Sequence, residues 1–186
     1  SSRDPSRLLA TLRSRCMTLH LTPPDEGQSL LWLKKHASQD EAMLLAALRL
    51  SAGAPGAALS LLDTGPWQAR QKLCDALPAA LQHDILQLLP VLNADDAAAR
   101  IGWLISLLLD AMKWQQNAEQ WLSNIDRQDV VALLASHFSA SALNNTARTW
   151  MRCREQLLHV ASVNRELLLT DQLLSWADNQ KPALIG

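Results

Sequence analysis

Tyrosine is missing from the 186-residue sequence, phenylalanine occurs once and glycine six times. So few aromatic residues to line strands, and so few glycines to turn them, exclude an architecture built on sheets. Cysteine is scarce too: Cys16, Cys74 and Cys153 are odd in number and far apart, with no C-x-x-C pair, which excludes a disulfide framework and a cysteine zinc site. No excess of positive charge exists, with 17 Lys and Arg against 18 Asp and Glu. Autonomous nucleic-acid binding is therefore not expected. The longest apolar run, Ile101 to Met112, is broken by Gly102, Ser106 and Asp110 and falls short of a membrane span; it reads as a core helix. The polar opening Ser1-Ser2-Arg3-Asp4 shows no signal peptide, and the abrupt start suggests a piece whose N-terminal part is missing. A cytoplasmic, reduced setting fits these features.

What the sequence has is leucine and alanine in helical periodicity, and an all-α fold follows. Asp4 and Pro5 open a short helix to about Arg15, and Met17-Thr18-Leu19-His20-Leu21 alternates like one strand of a sheet. Helix starts are expected at Thr22-Pro23-Pro24-Asp25-Glu26, with prolines in the first turn, at a Ser38/Glu41 capping box, and at Pro55. Together they make a three-helix unit over residues 23 to 64. The turn-rich Asp63-Thr64-Gly65-Pro66 reads as a boundary about which two bundles could move.

Beyond it, helices are expected over Trp67 to Leu81, Asp84 to Leu92, Asp95 to Gln116, Gln128 to His137, Ser141 to Ser162 and Arg165 to Asn179. They form a larger bundle over residues 66 to 186. Asp126 and Asp129 are placed at the N-cap and third position of their helix, and Asn164 at the cap of the last.

The run Pro5-Ser6-Arg7-Leu8-Leu9-Ala10-Thr11-Leu12-Arg13-Ser14-Arg15-Cys16 resembles the P-x-x-L-L-x-T-x-x-S-R-C segment near the end of the AAA+ core of bacterial clamp-loader subunits. Ser51-Ala52-Gly53-Ala54-Pro55-Gly56-Ala57-Ala58-Leu59 and Asn164-Arg165-Glu166-Leu167-Leu168-Leu169-Thr170-Asp171 follow in the same order, so the resemblance spans the chain. It implies a remnant of the AAA+ core over residues 1 to 22, a three-helix lid, and a C-terminal helical collar for oligomerisation.

It also implies that Arg15 is an arginine finger reaching the ATP site of a neighbouring subunit in the intact protein. Supplied in trans, a fixed guanidinium would make hydrolysis depend on assembly. Partners implied are the delta and gamma/tau subunits and, through the whole complex, the sliding clamp and primed DNA, in DNA replication by DNA polymerase III. Motor subunits of the family carry Arg in the G-S-x-R-x-A-L start of the third lid helix; here Gly56 stands at that position, and no G-x-x-x-x-G-K-[ST] loop occurs. Neither ATP binding, a cofactor, a metal nor an intrinsic activity is expected of these residues. Two other readings stay open: the rear half of an ATP-hydrolysing motor subunit, and an unrelated helical adaptor.

The five histidines fall at no metal-ligand spacing and read as surface or satisfied groups. The seven tryptophans lie beside leucine stripes and read as core or subunit-interface packing. Asp25-Glu26 and Asp95-Asp96 sit at helix starts, where the helix dipole explains them better than acid-base catalysis.

Overall fold

The first helix starts in this chain are set by carboxylates and by proline. The computed structural model describes residues 24–160 and 164–177, together with Leu9, Thr11, Ser14, Arg15 and Met17. These five are exposed; the expected helix ending near Arg15 and the expected strand Met17 to Leu21 otherwise lie outside the described residues.

The first described helix, α1, runs Glu26–His36, and Asp25 caps it by accepting the Gln28 N–H at 2.9 Å. Pro24 precedes the helix instead of entering its first turn. An ionised oxygen at the cap satisfies an N–H that proline's ring cannot reach. Helix α2 is Glu41–Leu50, and its cap is Asp40, accepting from Met43 N at 2.9 Å, so the expected capping box from Ser38 does not form. A full negative charge at the positive end of the helix outweighs a neutral hydroxyl two residues earlier.

Helix α2 closes in a Schellman turn: Gly53 N–H reaches Leu48 O at 2.9 Å and Ala52 N–H reaches Arg49 O at 3.2 Å. Ala52 therefore sits at φ 52°, where glycine carries no Cβ penalty. Ala52→Gly is expected to stabilise the fold by about 1 kcal/mol, read as a higher urea midpoint; no gain would mean that the turn relaxes out of the left-handed region.

Helix α3, Pro55–Leu61, starts on proline, and α4, Thr64–Gln82, follows after only Leu62 and Asp63. The expected four-residue turn is thus mostly helix. Thr64, Gly65 and Pro66 form a first turn, where proline's missing N–H would have had no partner anyway.

Two apolar cores flank this point. Leu33, Leu44, Leu48, Ala58 and Leu62 form the smaller with Trp67, which α4 contributes. Leu73, Cys74 and Leu77, further along the same helix, belong to the larger. One unbroken helix thus begins in one core and ends in the other.

In the larger unit the expected Asp84 to Leu92 helix is split into a 3-10 turn, Ile85–Leu88, and a short α5, Leu89–Leu92. A continuous helix would need an N–H from Pro90 to the Leu86 carbonyl; Leu89 N–H takes that carbonyl instead. Helix α6, Ala97–Gln115, runs through the core with Ile101, Leu104, Leu107 and Leu108 fully buried. It is flanked by α7, Gln128–His137, and α8, Ala140–His159, which is capped by Ser139. The last helix, α9, is Arg165–Ala177, capped by Asn164 as expected. The expected extensions to Ser162 and Asn179 lie outside the described residues.

The expected cap of α7 is wrong. Arg127 holds the N-cap position, and its side chain, which has no acceptor, makes no capping bond; Asp126 lies in the preceding 3-10 turn, Ile125–Arg127, and is engaged elsewhere. Among the described residues no strand occurs, and no single helix is long and apolar enough to cross a membrane. The all-helical expectation therefore holds for them.

Candidate functional site

Asp126 is engaged in a polar cluster buried where the two cores meet. Arg70 rises from α4, fully buried, and donates through Nη1 to Asp126 Oδ2 at 2.6 Å and through Nη2 to Asp126 Oδ1 at 2.8 Å and Asn124 Oδ1 at 2.9 Å. Its guanidinium carbon stands 4.7 Å from the centroid of the Trp67 ring, a cation–π contact. Taking such an ion out of water costs several kcal/mol, and only this two-pronged geometry with further hydrogen bonds offsets the cost.

The cluster continues into α6. Asp110, fully buried, accepts from the backbone N–H groups of Ser123 and Asn124 at 2.8 and 2.7 Å, from Asn124 Nδ2 at 2.8 Å and from Lys113 Nζ at 2.8 Å. Asn124 thereby bridges Arg70 to Asp110. From α2, Arg49 grips both carboxylate oxygens of Glu26 at 2.9 Å and donates to the carbonyls of Leu122 and Gln120 at 2.6 and 3.3 Å. The hydrogen bond from Arg49 holds the Glu26 carboxyl below the usual carboxylate range. Lys113 also donates to the Trp121 carbonyl at 2.8 Å.

Segment 120 to 124 is thus fixed by its backbone from both sides, although the Trp121 ring itself is 69% exposed. Each partner in the cluster positions another; the arrangement is suited to fastening two bundles, not to moving protons.

Arg15, the candidate finger, is exposed in a turn next to Ser14, whose Oγ donates to the Thr11 carbonyl at 3.2 Å. Gly56 lies in the first turn of α3, and a Cβ added there would meet nothing within 4 Å. Packing does not demand glycine at that position. The structure does not bring Arg15 into the buried cluster.

Sequence reasoning missed Arg49, Arg70, Asn124 and the role of Asp126. One signal was present: Asp110 directly follows the run Leu107-Leu108-Leu109 and precedes Ala111-Met112, inside an apolar helix where a charge must be buried and therefore partnered.

Three histidines close helix ends. His36 Nδ1 pairs with Trp32 O at 2.8 Å, His137 Nδ1 with Leu133 O and His159 Nδ1 with Glu155 O, both at 3.0 Å, each in the last turn, where free carbonyls collect. Burial pushes the Cys74 thiol up, and pushes Cys153 to about 11, so neither supplies a thiolate at neutral pH. Among the described residues no three His, Cys, Asp or Glu side chains gather at a metal-binding spacing. Trp67, Trp103, Trp150 and Trp176 are core residues; Trp32 and Trp121 are exposed.

Two family models match the chain in succession. One, the AAA+ ATPase lid domain of DNA polymerase III subunit delta', covers residues 24–63. The other, the C-terminal part of the DNA polymerase III delta subunit, covers residues 64–178. Among individual proteins, DNA polymerase III subunit delta' of Escherichia coli K12 is 45% identical over the whole chain, which spans 55% of that protein. The namesake from Yersinia pestis is 49% identical over 93% of the chain and 53% of its own length. That from Haemophilus influenzae is 26% identical over 89% of the chain and 51% of its own length. The chain spans about half the length of the relatives it matches.

Proposed function

The chain belongs to the DNA polymerase III delta' family, and from that premise we propose that it assembles the bacterial clamp loader through its larger helical bundle, residues 66 to 186, without an intrinsic activity of its own. Its partners are the delta and gamma/tau subunits, and the complex places the sliding clamp on primed DNA in the cytoplasm. The smaller bundle, residues 23 to 64, is the lid, and residues 1 to 22 are the end of the AAA+ core.

The observation that carries this reading is an uncovered apolar face at one end of the larger bundle. On α9, Leu169, Leu173 and Trp176 are buried, while Leu167 and Leu174 are 67% and 50% exposed. Seven residues apart, the exposed pair lies on one side of the helix. Leu158 and Val160, where α8 ends, are about half exposed as well. Helices that leave leucines in water on one side are suited to burying them against another helix. The open space at Gly56, with no Arg to meet a nucleotide, favours a non-hydrolysing subunit over a motor.

Light scattering during size exclusion tests the assembly. Mixed at micromolar concentration with folded delta and gamma/tau, the chain is expected in a shared peak, and Leu167→Asp with Leu174→Asp is expected to remove it. Separate peaks for the unaltered chain would overturn the reading.

Arg15 serves in the full-length protein as the trans finger. There Arg15→Ala is expected to leave the shared peak intact while ATP hydrolysis at the adjoining site falls by about a thousandfold. Unchanged hydrolysis would remove Arg15 from that role.

A further inference from the structure

Between α2 of the smaller bundle and α6 and α8 of the larger lies a groove of about 620 Å3. Its floor is apolar: Trp103 and Ile105 are more than nine-tenths buried, and Leu50 adds to them from α2. Met151, 41% exposed, forms the rim on α8.

Two guanidinium groups line it, and they differ in kind. Arg49 is fully engaged with Glu26 and the loop carbonyls, so it is part of the wall. Arg154 is held by one bond only, from Nε to the Ala98 carbonyl at 3.0 Å. Among the described residues no acceptor engages its two Nη groups. Its guanidinium lies against α6 where that helix has no side chain, since a Cβ on Gly102 would stand 3.7 Å from Nε. Anchored through Nε and unengaged at the fork, Arg154 has the geometry in which arginine receives a carboxylate bidentately.

The surroundings favour an acidic visitor. Of the two cations lining the groove, Arg49 is already met by Glu26, whereas no carboxylate among the described residues pairs with Arg154. A nucleic-acid strand fits less well, because the Trp103 ring is too buried to stack on a base. We infer that the groove binds a short acidic segment of a partner protein, with an apolar side chain seated over Trp103 beside Met151 and a neighbouring carboxylate on the Nη pair of Arg154. Because α2 comes from one bundle and α6 and α8 from the other, an occupied groove touches both. The inference does not use the exposed leucines of α9, so it goes beyond the assembly reading and fails or stands separately from it.

The four methionines give a readout. With 13C-methyl methionine in the chain, a blocked eight-residue peptide carrying one Leu between Asp and Glu is expected to move the Met151 methyl saturably, leaving Met43 and Met112 in place. The same peptide with Lys for its acids is expected to leave Met151 unmoved. Arg154→Ala is expected to weaken the acidic peptide at least tenfold, with the Met43 and Met112 signals reporting that the variant is folded. A Met151 methyl indifferent to the acidic peptide, an equal response to both peptides, or full affinity in Arg154→Ala would each overturn the inference. None of these outcomes would disturb the shared peak expected with delta and gamma/tau.

Discussion

Arg70→Ala is expected to lower the unfolding free energy by about 3–5 kcal/mol, the scale for breaking a buried pair from one side. The cause is less the lost contacts than what stays behind. Asp126, 8% exposed, is left in a site that no longer holds a cation, and the side-chain oxygen of Asn124 loses its donor. Exchanging the pair together, Arg70→Met with Asp126→Leu, should recover much of the loss, since matched apolar groups leave no buried charge. Urea unfolding followed by circular dichroism measures all three variants. A loss below about 1 kcal/mol for Arg70→Ala would mean that water reaches the pair, because that is the range of exposed salt bridges.

Trp176→Ala should cost a similar amount, about 3–5 kcal/mol, by a different route. Its indole is 1% exposed, lies edge-on to Trp150 at 6.1 Å and stacks on Phe138 at 5.9 Å, so truncation opens a cavity walled by two other rings. Combining it with Trp150→Ala should cost less than the sum, by about 0.5–1.5 kcal/mol for the ring pair. Leu169 and Leu173 share this buried side of α9, while Leu167 and Leu174 lie on the uncovered one. Loosening the seat should therefore unsettle the surface assigned to assembly. Amide exchange along α9 should rise before exchange along α6. Uniform exchange across both helices would show that α9 is not a separable element.

The two variants also mark how far the sequence could be read. Apolar periodicity alone places α7 at Gln128–His137, and Asn164 is recognisable as the cap of α9, because both signals lie within a few residues of what they determine. Competition between neighbouring groups was harder to see. Asp40 displaces Ser38 as a cap, and Pro90 breaks a helix whose leucine pattern runs through it.

The buried cluster was out of reach for another reason. Arg70 is 54 positions from Asn124 and 56 from Asp126, and Arg49 is 73 from Leu122. No window of local pattern contains both ends of such a pair. Asp126, one residue before Arg127 and two before α7, looked like a helix cap for the same reason: its true partner comes from another helix. Only Asp110, an acid set among leucines, announced that something buried must meet it.

Helix α4 has a mechanical consequence. A helix of 19 residues, about 28 Å long, is rooted at its first turn in one core and along its remainder in the other, and its interior proline, Pro78, stands beyond the stretch from Trp67 to Leu73 that links them. A push on the smaller bundle therefore arrives at the larger one as a lever's torque rather than being lost in a swivel. Arg49 of α2 and Arg70 of α4 act as braces against that torque, joining one helix of each core to the same short loop.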